Sequence, residues 1–147
     1  MTDTVPSPAA TSRLLGALPF WISLSLVPLA VIGAIYGGWT TILLPVVAWW
    51  LLAFLDALGG SNGLNHDPAT PDPALFWYRL VTLIWFPVQA VAIYGSIWWI
   101  TRSDHLGVVE ALVLMFGVAL ISGGIGIVYA HELMHQRNRT ERWLGDL

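Results

Sequence analysis

Two histidines and a glutamate lie together near the end of the chain, in the sequence HELMH at residues 131 to 135. This sequence fits the pattern H-E-x-x-H. On a helix, His131 and His135 share one face because they are four residues apart, so both imidazoles can bind the same metal ion. Glu132 projects about 100° away, where it can orient a ligand, hold a water molecule or act as a base. We therefore interpret His131 and His135 as metal ligands and Glu132 as a candidate catalytic residue.

The position of this motif favours a functional role. No Asp, Glu, Lys or Arg lies between Glu110 and His131, and ionisable groups at the end of a membrane span are costly and usually functional. The alternative is a set of interfacial polar groups beside an arginine cluster. Two metal chemistries use such a motif in membranes. One is zinc hydrolysis, with Glu132 activating a water molecule, and the other is oxygen activation at histidine-bound iron. The motif alone does not choose between them.

The composition is that of a membrane protein. The chain has 147 residues, of which 56% are hydrophobic and 10% are charged, whereas soluble domains carry about 25% charged residues. Its nine tryptophans suit a bilayer interface. The absence of cysteine excludes disulfides, thiolate metal sites and iron–sulfur clusters. A net charge of −3 gives no indication of nucleic-acid binding.

Apolar runs divide the chain into segments long enough to cross a bilayer, which needs about 20 residues. Gly37 and Gly38 permit a tight reversal within the first long run. We predict an all-α, polytopic membrane helical bundle with about four transmembrane helices, at 14–36, 40–57, 80–101 and 111–133. Residues 1–13 form a predicted flexible cytoplasmic N-terminus, and 14–147 form the transmembrane domain.

The arginines predict the orientation of these helices. Four spans place the N-terminus, the 56–78 loop and the tail after 131 on one side, and Arg102 on the other. The positive-inside rule makes the first side cytoplasmic, because it carries Arg13, Arg79, Arg137, Arg139 and Arg142. We therefore predict a multi-pass protein of the inner membrane, with the histidine motif on the cytoplasmic side. The last three arginines can also attract an acidic electron carrier.

A longer stretch, GIVYAHELMHQRNRTERWLGDL, resembles the first histidine box of the integral-membrane alkane 1-monooxygenases, relatives of the membrane fatty acid desaturases and hydroxylases. The match includes an acidic-Arg-Trp element at residues 141–143. Upstream, LLAFLDALGG and WYRLVTLIWFPVQ look like the region joining the second and third helices of those enzymes. The resemblance covers about residues 50–147, and Gln136 departs from it by replacing an expected Lys or Arg.

The resemblance implies a membrane non-haem di-iron monooxygenase. Such an enzyme hydroxylates the terminal methyl of n-alkanes with O2 and electrons from rubredoxin and rubredoxin reductase, and His131 and His135 would be iron ligands. The family needs further boxes of HxxxHH and HxxHH type, whereas this chain has four histidines in total. His105 lies on the opposite side, and His66 lies in a loop without ligand spacing. We expect an N-terminal portion, incomplete relative to the family fold and inactive by itself, with the remaining iron ligands outside this chain.

Other residues have two interpretations each. Asp56 is either a second-shell partner of the metal site or a helix-end aspartate, and Trp49 and Trp50 either line a substrate tunnel or face lipid. Two other functions also stay open, a membrane-embedded HExxH zinc metalloprotease and a non-catalytic membrane remnant. In the protease, Asp56 would have to supply the third ligand, although it precedes the motif. Small residues predict one thin, closely packing face on the fourth span, made by Gly117, Gly123, Gly124 and Gly126.

Overall fold

The computed structural model describes residues 10–60, 75–136 and 138–146, with side chains from Leu15 onward except at 55, 56 and 58–60. These residues are almost entirely helical and include no β-strand, which confirms the all-α prediction. The helices are α1 (Ala10–Ile22), α2 (Leu26–Tyr36), α3 (Leu43–Gly60), α4 (Phe76–Ile100), α5 (Val108–Ile121), α6 (Ile127–Met134) and α7 (Arg139–Gly145).

Within the described ranges, three helical segments are long and apolar enough to cross a membrane: Leu15–Tyr36, Phe76–Ile100 and Val108–Met134. The remaining predicted span corresponds to a shorter apolar helix at Gly38–Phe54. In chain order, Leu15–Tyr36 is called the first span, Gly38–Phe54 the second, Phe76–Ile100 the third and Val108–Met134 the fourth. Many of their large apolar side chains are exposed, as expected of surfaces that face lipid rather than water.

Short irregular turns join the helices within and between spans. A 3-10 turn at Ser23–Ser25 joins α1 to α2, and a second one at Gly38–Ile42 leads into α3. Gly37 and Gly38 have φ angles of 60° and 58°, a left-handed conformation that glycine adopts without steric cost. This confirms the predicted reversal between the first and second spans.

Pairs of contacts show the directions in which the spans run. The indole N–H of Trp21 donates to the carbonyl of Trp77 (3.2 Å). The indole N–H of Trp99 donates to the carbonyl of Ala34 (2.7 Å), so the first and third spans are parallel. The second and fourth spans are also parallel to each other, because Leu44 packs at Gly117 and Leu52 packs at Gly124.

The two pairs of spans run in opposite directions, which gives an up-and-down bundle. Tyr129, late in the fourth span, contacts Phe20, early in the first. The start of α4, the end of α6 and all of α7 therefore meet at one end of the bundle. The core between the spans is apolar and includes the fully buried residues Leu26, Leu44, Val81 and Leu114.

Candidate metal centre

The structure brings the two histidines of the motif together at the end of the fourth span. His131 lies in the last turn of α6 and His135 caps that helix. Their Nε2 atoms lie 3.2 Å apart, and their ring centroids are separated by 4.6 Å. Both side chains are exposed. Two nitrogens bound at about 2.1 Å to one metal ion lie roughly 3.0–3.4 Å apart in tetrahedral or octahedral geometry, so the spacing of this pair fits shared coordination.

Tyr129 fixes the helix that carries the pair. Its side chain is buried and packs edge-on against Trp85, with ring centroids 5.7 Å apart. The phenol O–H donates to the carbonyl of Phe20 (3.0 Å) and lies 3.2 Å from the hydroxyl of Ser23. A hydrogen bond deep in an apolar bundle is strong because water does not compete for it, so Tyr129 attaches α6 to the first span.

Helix α7 folds back closely onto α6. It begins at Asn138, whose side-chain oxygen accepts a hydrogen bond from the N–H of Thr140 (2.9 Å), as expected of an N-cap. Near its end, a Cβ added to Gly145 would lie 2.7 Å from the carbonyl oxygen of Ala130 and 2.8 Å from the backbone nitrogen of Met134. Only glycine permits this approach of the two backbones.

A buried ion pair joins α7 to the start of α4. Arg79 Nη2 lies 2.6 Å from Glu141 Oε1, and Glu141 is almost completely buried. Its other carboxylate oxygen, Oε2, is buried without a hydrogen-bond partner among the described residues. Sequence reasoning missed this pair. Its only signal was the acidic-Arg-Trp element, which was noted for its resemblance and not for a contact 62 residues away.

Glu132 lies beside the histidine pair, but its carboxylate is hydrogen-bonded to a different residue. Its Oε1 accepts a hydrogen bond from Gln136 Nε2 (2.8 Å). Glu132 is exposed on α6, and Gln136 is half-buried just after the end of that helix. Gln136 thus holds the carboxylate on the helix face next to that of the histidines. A catalytic role for Glu132 remains a prediction.

The other predicted site residues are spread over the bundle. Trp49 and Trp50 are exposed on the outer surface of α3, and their role in a substrate tunnel stays a prediction. Asp56 lies near the end of α3, but its side chain is outside the described residues, as is all of His66. His105 lies at the opposite end of the bundle, where its Nε2 is 3.2 Å from the carbonyl of Ala34.

No group of three or more His, Asp or Glu side chains that could hold a metal ion occurs within 10–60, 75–136 and 138–146. The pair at 131 and 135 therefore offers two candidate ligands, and no third candidate joins it among the described residues. A protein site for zinc hydrolysis or for iron takes at least three ligands. The described residues alone do not form such a site.

The glycines of the fourth span serve several contacts. Gly117 and Gly124 face leucines of the second span, Gly126 faces Gln89 of α4, and a Cβ on Gly123 would meet nothing within 4 Å. The prediction that they share one face was wrong. The reason is helix geometry, because consecutive residues such as Gly123 and Gly124 project about 100° apart even on a regular α-helix.

Sequence comparisons identify several relatives of one kind. The chain is 27% identical over 108 residues to alkane 1-monooxygenase 1 of Alcanivorax borkumensis, covering 71% of this chain and 26% of that protein. It is 29% identical over 116 residues to alkane 1-monooxygenase of Pseudomonas putida, covering 75% and 28%. The chain is similar to the alkane 1-monooxygenases. A third relative, alkane 1-monooxygenase 2 of Pseudomonas aeruginosa, is 29% identical over 113 residues, covering 75% of this chain and 30% of that protein.

These matches confirm the resemblance that residues 126–147 and the segments upstream of them indicated. The chain spans between a quarter and a third of the length of the curated relatives it matches. No family model matches the chain, and no solved structure matches it. The chain thus resembles membrane oxidoreductases. This similarity favours the oxygenase interpretation of the histidine motif over its interpretation as a zinc protease.

Proposed function

We propose that this chain supplies the first histidine pair of a membrane non-haem di-iron monooxygenase that hydroxylates the terminal methyl of n-alkanes. The observation that carries this proposal is the 3.2 Å separation of the Nε2 atoms of His131 and His135 at the end of a membrane span. The similarity to alkane 1-monooxygenases supports iron and oxygen chemistry for this pair. Iron bound there would activate O2 for insertion into a C–H bond.

The residues around the pair have positioning roles in this proposal. Tyr129 and the close contact of α6 with α7 at Gly145 hold the helix end in place. The Arg79–Glu141 pair in turn fixes α7 to the third span. Two imidazoles do not complete the coordination of even one iron. The remaining ligands are therefore proposed to come from polypeptide outside this chain.

Two exposed arginines near the pair support the approach of an acidic electron donor, although Glu132 and Asp146 are also exposed at this end. Arg139 and Arg142 are exposed on α7, close to the end of the helix that carries the histidines. Exposed charges of one sign raise the association rate of an oppositely charged protein, and salt screens this effect. We propose that rubredoxin, reduced by its reductase, approaches this end of the bundle.

The same charges support an orientation in the inner membrane. Arg79, Arg139 and Arg142 lie at the end of the bundle that carries the pair, and Arg102 lies at the other end, against the ring of Trp98. We propose that the histidine end is cytoplasmic. Because the chain has no cysteine, single cysteines at Thr140 and at Thr101 can test this with a membrane-impermeant maleimide. Intact cells should label T101C only, and labelling of T140C alone would contradict this orientation.

A chimera tests the enzymatic proposal. The matching part of the Pseudomonas putida alkane 1-monooxygenase is replaced by this chain, and conversion of an n-alkane to its 1-alcohol is measured together with the iron content of the membrane protein. We expect conversion by the chimera and by its His105→Ala variant, whose histidine lies at the opposite end. His131→Ala should lose both iron and conversion. A chimera that inserts at normal levels but binds no iron would contradict the proposal.

A further inference from the structure

The fourth span buries one face of α5 and exposes the opposite one. Leu114, Val118 and Ile121 are buried in the core, whereas Leu112 and Phe116 are 65% and 62% exposed. An α-helix turns by about 100° per residue. At that rate, these two exposed residues project approximately opposite to the buried ones.

The buried and exposed residues of α6 show that the fourth span is not one regular α-helix. In α6, Tyr129 and Leu133 are buried and His131 and His135 are exposed. If the helix continued regularly from Ile121 at about 100° per residue, the buried face of α6 would lie about 80° away from that of α5. His135 would then turn towards the core.

A π-helical turn between the two segments removes this mismatch. It spans Ser122–Gly126, and the N–H of Ile127 donates to the carbonyl of Ser122, five residues earlier. A π turn therefore holds one residue more than an α turn. If the surplus residue of the π turn is left out of the count between α5 and α6, the directions of their buried faces agree to within about 30°. His131 and His135 then align with Leu112 and Phe116 on the outward face.

We propose that the π-helical turn at Ser122–Gly126 positions the histidine pair, by absorbing one surplus residue so that both imidazoles face away from the four-span core. Given the metal-binding role proposed above, the metal is held on the outer face of the fourth span. Segments that supply further ligands must then approach along the exposed face that includes Leu112 and Phe116. The core face is closed to them by Tyr129 and Leu133.

Changes in residue number within the turn test this proposal. Deleting Gly123 should leave an uninterrupted α-helix with both buried faces in register, because the π turn has one residue in excess. Deleting both Gly123 and Gly124, or inserting one alanine after Gly123, should rotate α6 by about 100° and expose Tyr129. The single deletion should keep the melting temperature in detergent within a few degrees of the parent, and both other variants should lower it clearly. A single deletion as harmful as the other two changes would overturn the proposal.

The direction of the pair can be measured without metal. In this cysteine-free chain, spin labels at position 131 and at position 129 report accessibility to a lipid-soluble relaxation agent. Position 131 should be accessible and 129 protected, both in the parent and after deletion of Gly123. The opposite pattern in either protein would overturn the inference, whatever the metal content. Failure of the unlabelled parent to bind Cu²⁺ through two imidazoles would instead count against the proposed function alone.

Discussion

Replacement of Gly145 by alanine should release α7 from α6. The added Cβ would lie 2.7 Å from the carbonyl oxygen of Ala130, whereas ordinary contact begins near 3.4 Å, so α7 must move by about 0.7 Å. Because the obstacle is backbone, no rotamer change relieves it. Overpacking of this kind costs about 1–3 kcal/mol. The better helix propensity of alanine offsets less than about 1 kcal/mol, since Gly145 is the last residue of α7.

The expected net loss of about 1–2 kcal/mol corresponds to a roughly 5–30-fold rise in the locally open population of α7. Trypsin can measure this population, because Arg139 and Arg142 lie in α7 and cleavage after them requires opening. We expect the cleavage rate at these two sites to rise by the same factor. The matched control is Gly95→Ala in α4, where an added Cβ meets nothing within 4 Å, and it should leave the rate unchanged. Equal cleavage rates in the two variants would refute the argument from close backbone packing.

Substitutions at three supports of the site, the Arg79–Glu141 pair, Tyr129 and Asn138, are tested by thermal unfolding in detergent or by trypsin cleavage. Arg79→Ala should cost about 3 kcal/mol and more than Glu141→Ala, because it leaves the carboxylate buried without its partner; the reverse order would contradict this. Tyr129→Phe should lower the free energy of unfolding by about 1 kcal/mol. The loss is not larger because the Ser23 hydroxyl still donates to the carbonyl of Phe20. No loss would show that the hydrogen bonds of the phenol do not stabilise α6. Asn138→Ala should cost about 1 kcal/mol through loss of the N-cap, which an unchanged trypsin cleavage rate in α7 would contradict.

Local sequence patterns predicted the features that depend on neighbouring residues. Two consecutive glycines predicted the reversal after α2, since few other residues tolerate the positive φ angles found there. The four-residue spacing of His131 and His135 predicted that they share a face, because helix geometry alone determines it. Apolar length predicted four apolar helical segments, of which three are long enough to cross a membrane.

Features that depend on the register between distant segments were not predictable in this way. The fourth span is apolar on both faces, since lipid and core are both apolar, so its sequence gives no periodic signal that would reveal one surplus residue in the π turn. The Arg79–Glu141 pair joins the third span to α7, 62 residues further along the chain. The positive-inside rule already gave the arginine a role at that end of the bundle. The close approach of α7 at Gly145 likewise depends on how the tail folds back, which a single glycine near a helix end does not indicate.

Shared binding of one metal ion by His131 and His135 is the property on which the proposed function depends. Cu²⁺ is a suitable probe, because it binds imidazole more strongly than other divalent first-row metals, and pulsed electron paramagnetic resonance counts the imidazoles bound to it. We expect two equivalent imidazoles on one Cu²⁺ in the parent chain, one in His131→Ala or His135→Ala with at least tenfold weaker binding, and no change in His105→Ala. A parent spectrum with a single imidazole, or an unchanged spectrum after loss of either histidine of the pair, would contradict the account.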